Sequence, residues 1–579
     1  MISMFSVKPV SANPRLAATT STEDISFFLI SLKHQLREIR TNPTILCPFQ
    51  KKNLKFVSYQ AKPEDMLYPI GIQSFETIRK NGYVYIDKTD HIWRLATTGQ
   101  YYFLSRPRRF GKSLLISTME AYFSGKKDLF EGLKIADLEK EWIKYPVLRL
   151  DLSGATYSSL QVLSEKLSAF LAKYEQQFDI VAGGTVPSVR FETLIEAIYH
   201  KTGLPIVLLI DEYDKPILDN LHSDDIAESL RSTLQGFYGV IKSKNDFLKF
   251  AFLTGVTKLG KLSVFSALNN LTDISIDQEN GDICGITENE LRACFSDSVA
   301  EMAAARSLSV EACFTRLAKM YDGYHFHPGA PGVYNPFSLL VALRKKEFGE
   351  YWFETGTPTF LVRFIQQGDY LLEDITSNGV PASKLTGSNY EKPDVITLLY
   401  QSGYLTIKDY DERYGLYFLD YPNNEVESGF LHSLSQYYLP IMEVRGEFSV
   451  YRFIKDIESG DVNSLMNRLT ALFASSDYQI KGNLEAAFQN TFVTLFRLMG
   501  QQVGAELHTS NGRIDVVLES ASFVYIIELK RDKTPEEALQ QIEEMGYDKP
   551  FLAKGKKIFK IGANFTTKNR RLDSWKLAD

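Results

Sequence analysis

Tyr101-Tyr-Phe-Leu-Ser-Arg-Pro-Arg-Arg-Phe-Gly-Lys-Ser-Leu-Leu115 is the stretch on which the reading of this chain turns. A short apolar strand ends at Leu104 and a helix begins near Lys112. Between them Arg106-Pro-Arg-Arg-Phe-Gly-Lys-Ser113 is a Walker A loop in all but its first position, where Arg106 stands for the usual Gly. In such a loop the backbone N–H groups and the helix N-terminus wrap the phosphates. Gly111 lets the backbone approach closely, Lys112 reaches the β- and γ-phosphates, and Ser113 ligates Mg2+. The candidate nucleotide contacts are therefore Arg106, Pro107, Arg108, Arg109, Phe110, Gly111, Lys112 and Ser113, with ATP and Mg2+ as cofactors. Gly-Lys-Ser alone also occurs as a basic turn before a helix, so a second motif has to decide.

That motif is Leu204-Pro-Ile-Val-Leu-Leu-Ile-Asp-Glu-Tyr-Asp214. Its apolar run, Ile206 to Ile210, reads as a strand buried on both faces that ends in acids at the carboxyl edge of a sheet. Asp211 is expected to hold Mg2+ through water, and Glu212 to orient or deprotonate the attacking water. The bland alternative is a solvated acidic turn. A third strand, Phe250-Ala-Phe-Leu-Thr-Gly-Val-Thr257, places Thr254 at its polar end, either as a γ-phosphate sensor or as a plain strand-end residue. Lys258 and Lys261 read as phosphate contacts or, by default, solvated lysines. From Tyr68 to about Leu271 apolar β-rich runs alternate with helical segments, which predicts a parallel sheet flanked by helices.

These motifs occur in order with Tyr68-Pro-Ile-Gly-Ile-Gln-Ser-Phe75, Tyr85-Ile-Asp-Lys-Thr89, Leu253-Thr-Gly-Val-Thr-Lys258, Leu268-Asn-Asn-Leu-Thr-Asp273 and Tyr351-Trp-Phe-Glu-Thr-Gly-Thr-Pro358. Together they resemble the AAA-ATPase-like family from roughly Met66 to the chain's end. The resemblance implies that Arg106 is the usual residue at its position there.

A second constellation lies near the C-terminus. Gly512-Arg-Ile-Asp-Val-Val-Leu-Glu519 and Phe523-Val-Tyr-Ile-Ile-Glu-Leu-Lys530 read as a hairpin turning at Glu519 to Ser522. Asp515 and Glu528 then lie across adjacent strands, and Lys530, two residues on, shares the face of Glu528. Two carboxylates and a lysine suit Mg2+-dependent phosphodiester hydrolysis: the acids hold the metal and the lysine steadies charge. A helix before the hairpin carries Leu484, Phe488, Phe492, Leu495 and Met499 at helical spacing, with Glu485 as a further metal-ligand candidate. After it come the helix Pro535 to Met545 with Gln541 and the strand at Lys557. Asp515…Glu528-Leu-Lys530 resembles the PD-(D/E)XK nuclease pattern, which implies an αβββαβ restriction-endonuclease-like domain. Such domains follow the ATPase module in the same family.

The fold class expected is α/β: a P-loop NTPase domain, a helical and winged-helix-like middle region, and the nuclease-like domain. Its divisions are an N-terminal extension (1–65), ATPase (66–285), helical and winged-helix region (286–430), helical connector (431–478) and nuclease-like domain (479–579). An ordinary helix–hairpin is an equal reading of the winged-helix element. The extension lacks domain-like periodicity, so deleting it is expected to preserve soluble expression and ATPase activity, with Met66 as a physiological start. The 579 residues carry a net charge of −6, which excludes a globally basic nucleic-acid binder. Local basic residues from Lys549 to Lys576, facing few acids within that stretch, read as phosphate contacts or an ordinary solvated surface. Cys47, Cys284, Cys294 and Cys313 form no CxxC pair and suggest free thiols in a reducing compartment. No apolar run reaches the ~18 residues of a membrane span. The reading is a cytoplasmic ATPase coupled to a Mg2+-dependent nuclease acting on DNA, with a homo-oligomer compatible. The alternative is a nucleotide-governed module that binds nucleic acid or protein without cleaving.

Overall fold

The parallel sheet forms from β1 (Tyr101–Ser105), β2 (Val147–Asp151), β3 (Ile206–Asp211), β4 (Leu248–Gly255) and β5 (Thr272–Asp273), in the order β2-β3-β4-β1-β5. Every pairing in it is parallel. The structure is a computed structural model describing residues 66–181, 183–220, 223–258, 270–353, 379–386, 394–438, 450–475, 484–498, 502–509, 512–566 and 571–578. The proposed extension 1–65 and Lys261 lie outside the described residues.

Strand alternation divides the apolar side chains between the sheet's two faces. Tyr101, Phe103, Leu208 and Ile210 join α4 (Leu160–Phe178), α5 (Pro187–Thr202) and α6 (Asp224–Ser243) in one core. Tyr102, Leu104, Val207 and Leu209 enter the other, with Leu115 and Met119 of α3 (Lys112–Phe123). Two short helices, α1 (Phe75–Lys80) and α2 (Thr89–Thr98), precede β1.

The middle region holds α7 (Glu288–Ala305), α8 (Val310–Tyr321) and α9 (Pro336–Lys345), with β6 (Ile286–Thr287) paired to β7 (Val333–Tyr334). Thr287 and Glu290 close a reciprocal capping box at the start of α7. The helix–hairpin is α10 (Val395–Ser402) followed by antiparallel β9 (Thr406–Asp411) and β10 (Leu416–Asp420). β8 (Val380–Pro381) adds a third strand to that hairpin.

The boundary expected at 430 falls inside α11 (Asn424–Tyr438) and needs correcting. Val426, Phe430, Leu431 and Leu434 are buried in the same core as Leu398 and Phe492, so this helix is a shared wall rather than the start of a connector. α12 (Val450–Ser459) and α13 (Val462–Ser475) follow it.

The C-terminal sheet runs β11 (Gln502–Thr509), β12 (Gly512–Glu519), β13 (Phe523–Arg531), β14 (Lys557–Thr566) and β15 (Arg571–Leu577) in chain order, with only β13 and β14 parallel. α14 (Leu484–Leu498) precedes it, and α15 (Pro535–Met545) crosses between β13 and β14. The expected αβββαβ order is present with β15 added at the edge. Phe492 and Leu495 are buried, as the helical spacing predicts. Met499 lies outside the described residues.

Glu425, in the first turn of α11, is fully buried and accepts hydrogen bonds from Ser338 Oγ and the Trp352 backbone N–H. Burial is the largest influence on its carboxyl, which is pushed up to about 7. The folded chain therefore holds a proton that the unfolded chain gives up near pH 4.5. Stability from this group is fully present below that pH and is lost as pH rises to about 7, a change on the order of 3 kcal/mol. Glu425→Gln is expected to flatten this slope, leaving the variant more stable than wild type at pH 8. Urea midpoints of both proteins at pH 5 and pH 8 check it, and parallel slopes would refute it.

Candidate nucleotide and metal sites

The carboxyl ends of β1, β3 and β4 meet at one edge of the parallel sheet, where Ser105 pairs with Gly255 and Asp211 ends β3. Gly111 precedes α3 with φ 92°, a left-handed conformation that opens the helix N-terminus to the loop. The cavity there is about 450 Å³, and Arg108, Arg109, Gly111, Lys112, Ser113 and Glu212 line part of it. Lys112 Nζ donates to the carbonyls of Arg106 at 3.0 Å and Pro107 at 2.9 Å, which holds the loop curled around its side chain.

Asp211 is 1% exposed, and neither carboxylate oxygen accepts a hydrogen bond of ordinary geometry. Burial pushes its carboxyl up, against the pull of the neighbouring Ser113 hydroxyl and the Lys112 charge. A buried carboxylate short of donors is the group a divalent cation satisfies. Mg2+ also keeps several waters and needs few protein ligands, so Asp211 and Ser113 fit a nucleotide-borne Mg2+. Glu212 reaches the cavity from a left-handed backbone with φ 52°, an uncommon conformation for a non-glycine residue. Its carboxyl is raised, chiefly by burial and against the pull of Lys112.

Asp214 has a bracing role that reading the motif did not assign. It accepts from the Thr257 N–H at 2.6 Å and the Thr257 hydroxyl at 2.8 Å, and also from the Val256 N–H. Tyr213 OH donates to the Thr257 carbonyl, fastening the acidic turn to the exit of β4. Gly255 allows this approach, because a Cβ there would lie 2.3 Å from Asp214 Oδ1. The signal was the fourth residue of Asp211-Glu-Tyr-Asp, an acid with no cofactor role to fill.

Several expected nucleotide contacts need correction. Arg106 is 1% exposed, and its guanidinium donates to the carbonyls of Ser105, Ser275 and Asn280 while lying 3.9 Å from the Phe326 ring centroid. It is a structural tie that joins β1 to the segment after β5. Phe110 is likewise buried, edge-on to Tyr324 and Phe326. Pro107 offers its carbonyl to Lys112 and packs close to Gly403. Thr254 is fully buried and donates to the Leu104 carbonyl at 2.8 Å, so its hydroxyl braces β1 from behind the loop. Lys258 is buried rather than solvated, and it pairs with Asp273 at 3.0 Å.

In the C-terminal sheet Val516 pairs with Ile527 and Val517 with Ile526. Asp515 and Glu528 are the next residues outward on each antiparallel strand, so that register puts them on one face. Asp515 Oδ2 accepts the Leu529 N–H at 2.7 Å, and Lys530 Nζ lies 3.0 Å from Glu528 Oε1. Lys530 also donates to Gln541 Oε1 of α15, whose Nε2 donates to Tyr547 OH. Asp515 and Glu528 are 7% and 1% exposed, so this is a low-dielectric carboxylate pair with Lys530 beside it. Glu485 belongs to α14, but its side chain lies outside the described residues. Among the described residues no group of three or more His, Cys, Asp or Glu side chains forms a metal cage. The fit to a metal thus rests on the Asp515–Glu528 pair.

The basic surface reads differently once folded. Lys554 and Lys556 pair with Glu519, Lys560 with Glu543 and Asp548, and Lys576 with Glu536. All four acidic partners precede the Lys549–Lys576 stretch in sequence. Lys568 and Arg570 lie outside the described residues.

A Gly111-Lys-Ser loop at the carboxyl edge of a parallel sheet, followed by a paired-carboxylate αβββαβ unit, defines a P-loop protein with an attached nuclease-fold domain. Residues 69–265 match the model of the AAA-ATPase-like family, described as predicted AAA-ATPase, and residues 483–575 match the PD-(D/E)XK nuclease superfamily. A protein of Azotobacter chroococcum mcd 1, described as "uncharacterized protein in vnfD 5'region", is 37% identical over 519 residues, covering 87% of this chain and 97% of that one. The chain belongs to the AAA-ATPase-like family and carries a PD-(D/E)XK nuclease superfamily domain at its C-terminus. Among the described residues no helix is long and apolar enough to cross a membrane.

Proposed function

We propose that this protein binds and hydrolyses ATP with Mg2+ and that its nucleotide state governs a Mg2+-dependent nuclease acting on DNA in the cytoplasm. In this reading Lys112 and Ser113 engage the phosphates and metal, with Arg108 and Arg109 at the mouth of the loop. Asp211 would hold Mg2+ through water, and Glu212 would orient the attacking water. The observation that carries the nuclease half is the register that sets Asp515 opposite Glu528 with Lys530 against it. Asp515 and Glu528 would hold the metal, which would supply an activated water and charge stabilisation for the departing oxygen, and Lys530 would offset the negative charge that builds on the phosphate. Glu485 is a proposed third ligand.

A second reading has a specific observation behind it. Four of the C-terminal lysines, Lys554, Lys556, Lys560 and Lys576, are each paired with an acid, so their charge is not free for a phosphate backbone. A non-cleaving module that binds protein or nucleic acid fits that surface. The test is incubation with single-stranded DNA, duplex DNA and RNA, each with Mg2+ or EDTA and with or without ATP. Mg2+-dependent DNA cleavage that changes with ATP supports the first reading. Binding without cleavage under every condition overturns it in favour of the second.

A further inference from the structure

The motif Tyr351-Trp-Phe has no role in the chemistry above, yet Trp352 touches the phosphate loop directly. Its indole Nε1–H donates to the Arg108 carbonyl at 3.2 Å, and the residue is 6% exposed. The next loop residue, Arg109, is held at φ 68°, where a non-glycine backbone is strained and persists only if its surroundings enforce it. The enforcing contacts come from the middle region. Trp352 fixes the carbonyl before Arg109, and the Arg109 guanidinium lies 4.8 Å from the Phe337 ring centroid.

Trp352 is itself anchored from the other side. Its backbone N–H donates at 2.8 Å to Glu425 of α11. Tyr404 packs between its ring and Phe430 of the same helix, at centroid distances of 5.0 and 5.3 Å. Gly429 lies so close to the ring of Phe353 that an added Cβ would come within 2.2 Å of it. α11 in turn packs against α14, the first helix of the nuclease-fold domain. The path from loop carbonyl to that domain is a run of hydrogen bonds and buried rings, the kind of contiguous, close-packed network along which coupling energy travels.

We propose that Trp352 is a positioning residue for the phosphate loop, and that through Glu425 it ties the loop's nucleotide-bound geometry to the helix on which the nuclease-fold domain packs. This rests on the reading of the loop as an ATP site. Trp352→Phe keeps an aromatic ring but deletes the donor to Arg108. The Kd for Mg2+-ADP, measured by calorimetry on the full chain, is expected to rise roughly fivefold, the effect of one neutral hydrogen bond. Hydrogen exchange supplies a readout that a merely structural role would not move. ADP is expected to slow exchange in residues 424–438 of wild type, and to lose that effect in Trp352→Phe even at saturating ADP.

If Trp352→Phe does not fold, the Trp93→Phe/Trp142→Phe/Trp575→Phe chain leaves Trp352 as the sole tryptophan, and its emission, excited at the red edge where tyrosine does not absorb, is expected to shift on adding Mg2+-ADP. Wild type that binds no ADP would fail the ATP-site reading. Wild type that binds ADP while Trp352→Phe matches it in affinity and in exchange, or a Trp352 emission indifferent to ADP, would overturn the positioning role alone.

Discussion

ATP turnover is expected to disappear in Lys112→Ala, with kcat at least about a hundredfold down, while the chain stays folded. The magnitude follows from removing a buried cation that the proposed function places where charge develops on the transferring phosphoryl group. Lys112 is 6% exposed, and burial alone lowers its pKa, so holding this charge inside the protein has a cost of its own. Its loss frees the Arg106 and Pro107 carbonyls, about 1–3 kcal/mol if either is left unsatisfied, offset in part by no longer burying an ammonium. The fold is therefore expected to survive.

A second consequence is electrostatic. Lys112 draws down the carboxyls of Asp211, Glu212 and Asp214, all of which burial raises. Without it these acids move further towards the protonated form, which weakens the metal ligand as well as the phosphate contact. Glu212→Gln separates the two effects: ADP binding is retained and hydrolysis slows, because Asp211 and Lys112 stay in place. Phosphate release and ADP calorimetry on both variants measure this, and wild-type turnover by purified Lys112→Ala would remove the loop's assigned role.

What sequence could and could not reveal divides along local and distant contacts. The parallel sheet was legible because Tyr101–Ser105 and Ile206–Asp211 are apolar runs buried at every position, and each ends in chemistry the carboxyl edge requires. The placement of Asp515 and Glu528 was legible because a period of two and a short turn set a hairpin register. Arg106 was misread because its acceptors, Ser275 and Asn280, come from a segment remote in sequence. A loop arginine beside Gly-Lys-Ser looks like a phosphate ligand until those carbonyls arrive. The same holds for Lys554 and Lys560, which look like open basic surface until Glu519 and Glu543 fold against them. β15 escaped notice because Arg571-Leu-Asp-Ser-Trp-Lys-Leu577 is a mostly polar edge strand without a strong apolar alternation.

Asp515→Ala is expected to abolish Mg2+-dependent cleavage, by a hundredfold or more, and to leave ATP hydrolysis at the wild-type rate. The first half follows from the pairing of Asp515 with Glu528: removing one of the two carboxylates takes away one of the two proposed metal donors. The second follows from separation, since the residues that line the phosphate cavity belong to the ATPase sheet and middle region. Asp515 also accepts the Leu529 N–H, so alanine removes a structural hydrogen bond along with the charge. Asp515→Asn resolves that ambiguity. It keeps a carbonyl oxygen for Leu529 while deleting the negative charge that a divalent cation needs. If cleavage depends on metal held there, both variants lose it; if Asp515 only steadies the strand, Asp515→Asn retains it. Lys530 sharpens the comparison, because its ammonium already offsets the Glu528 charge. With Asp515 neutral, that ion pair is self-sufficient and the site's demand for a cation falls. Full cleavage by Asp515→Asn would therefore remove the metal-site assignment and leave the non-cleaving module as the reading of this domain.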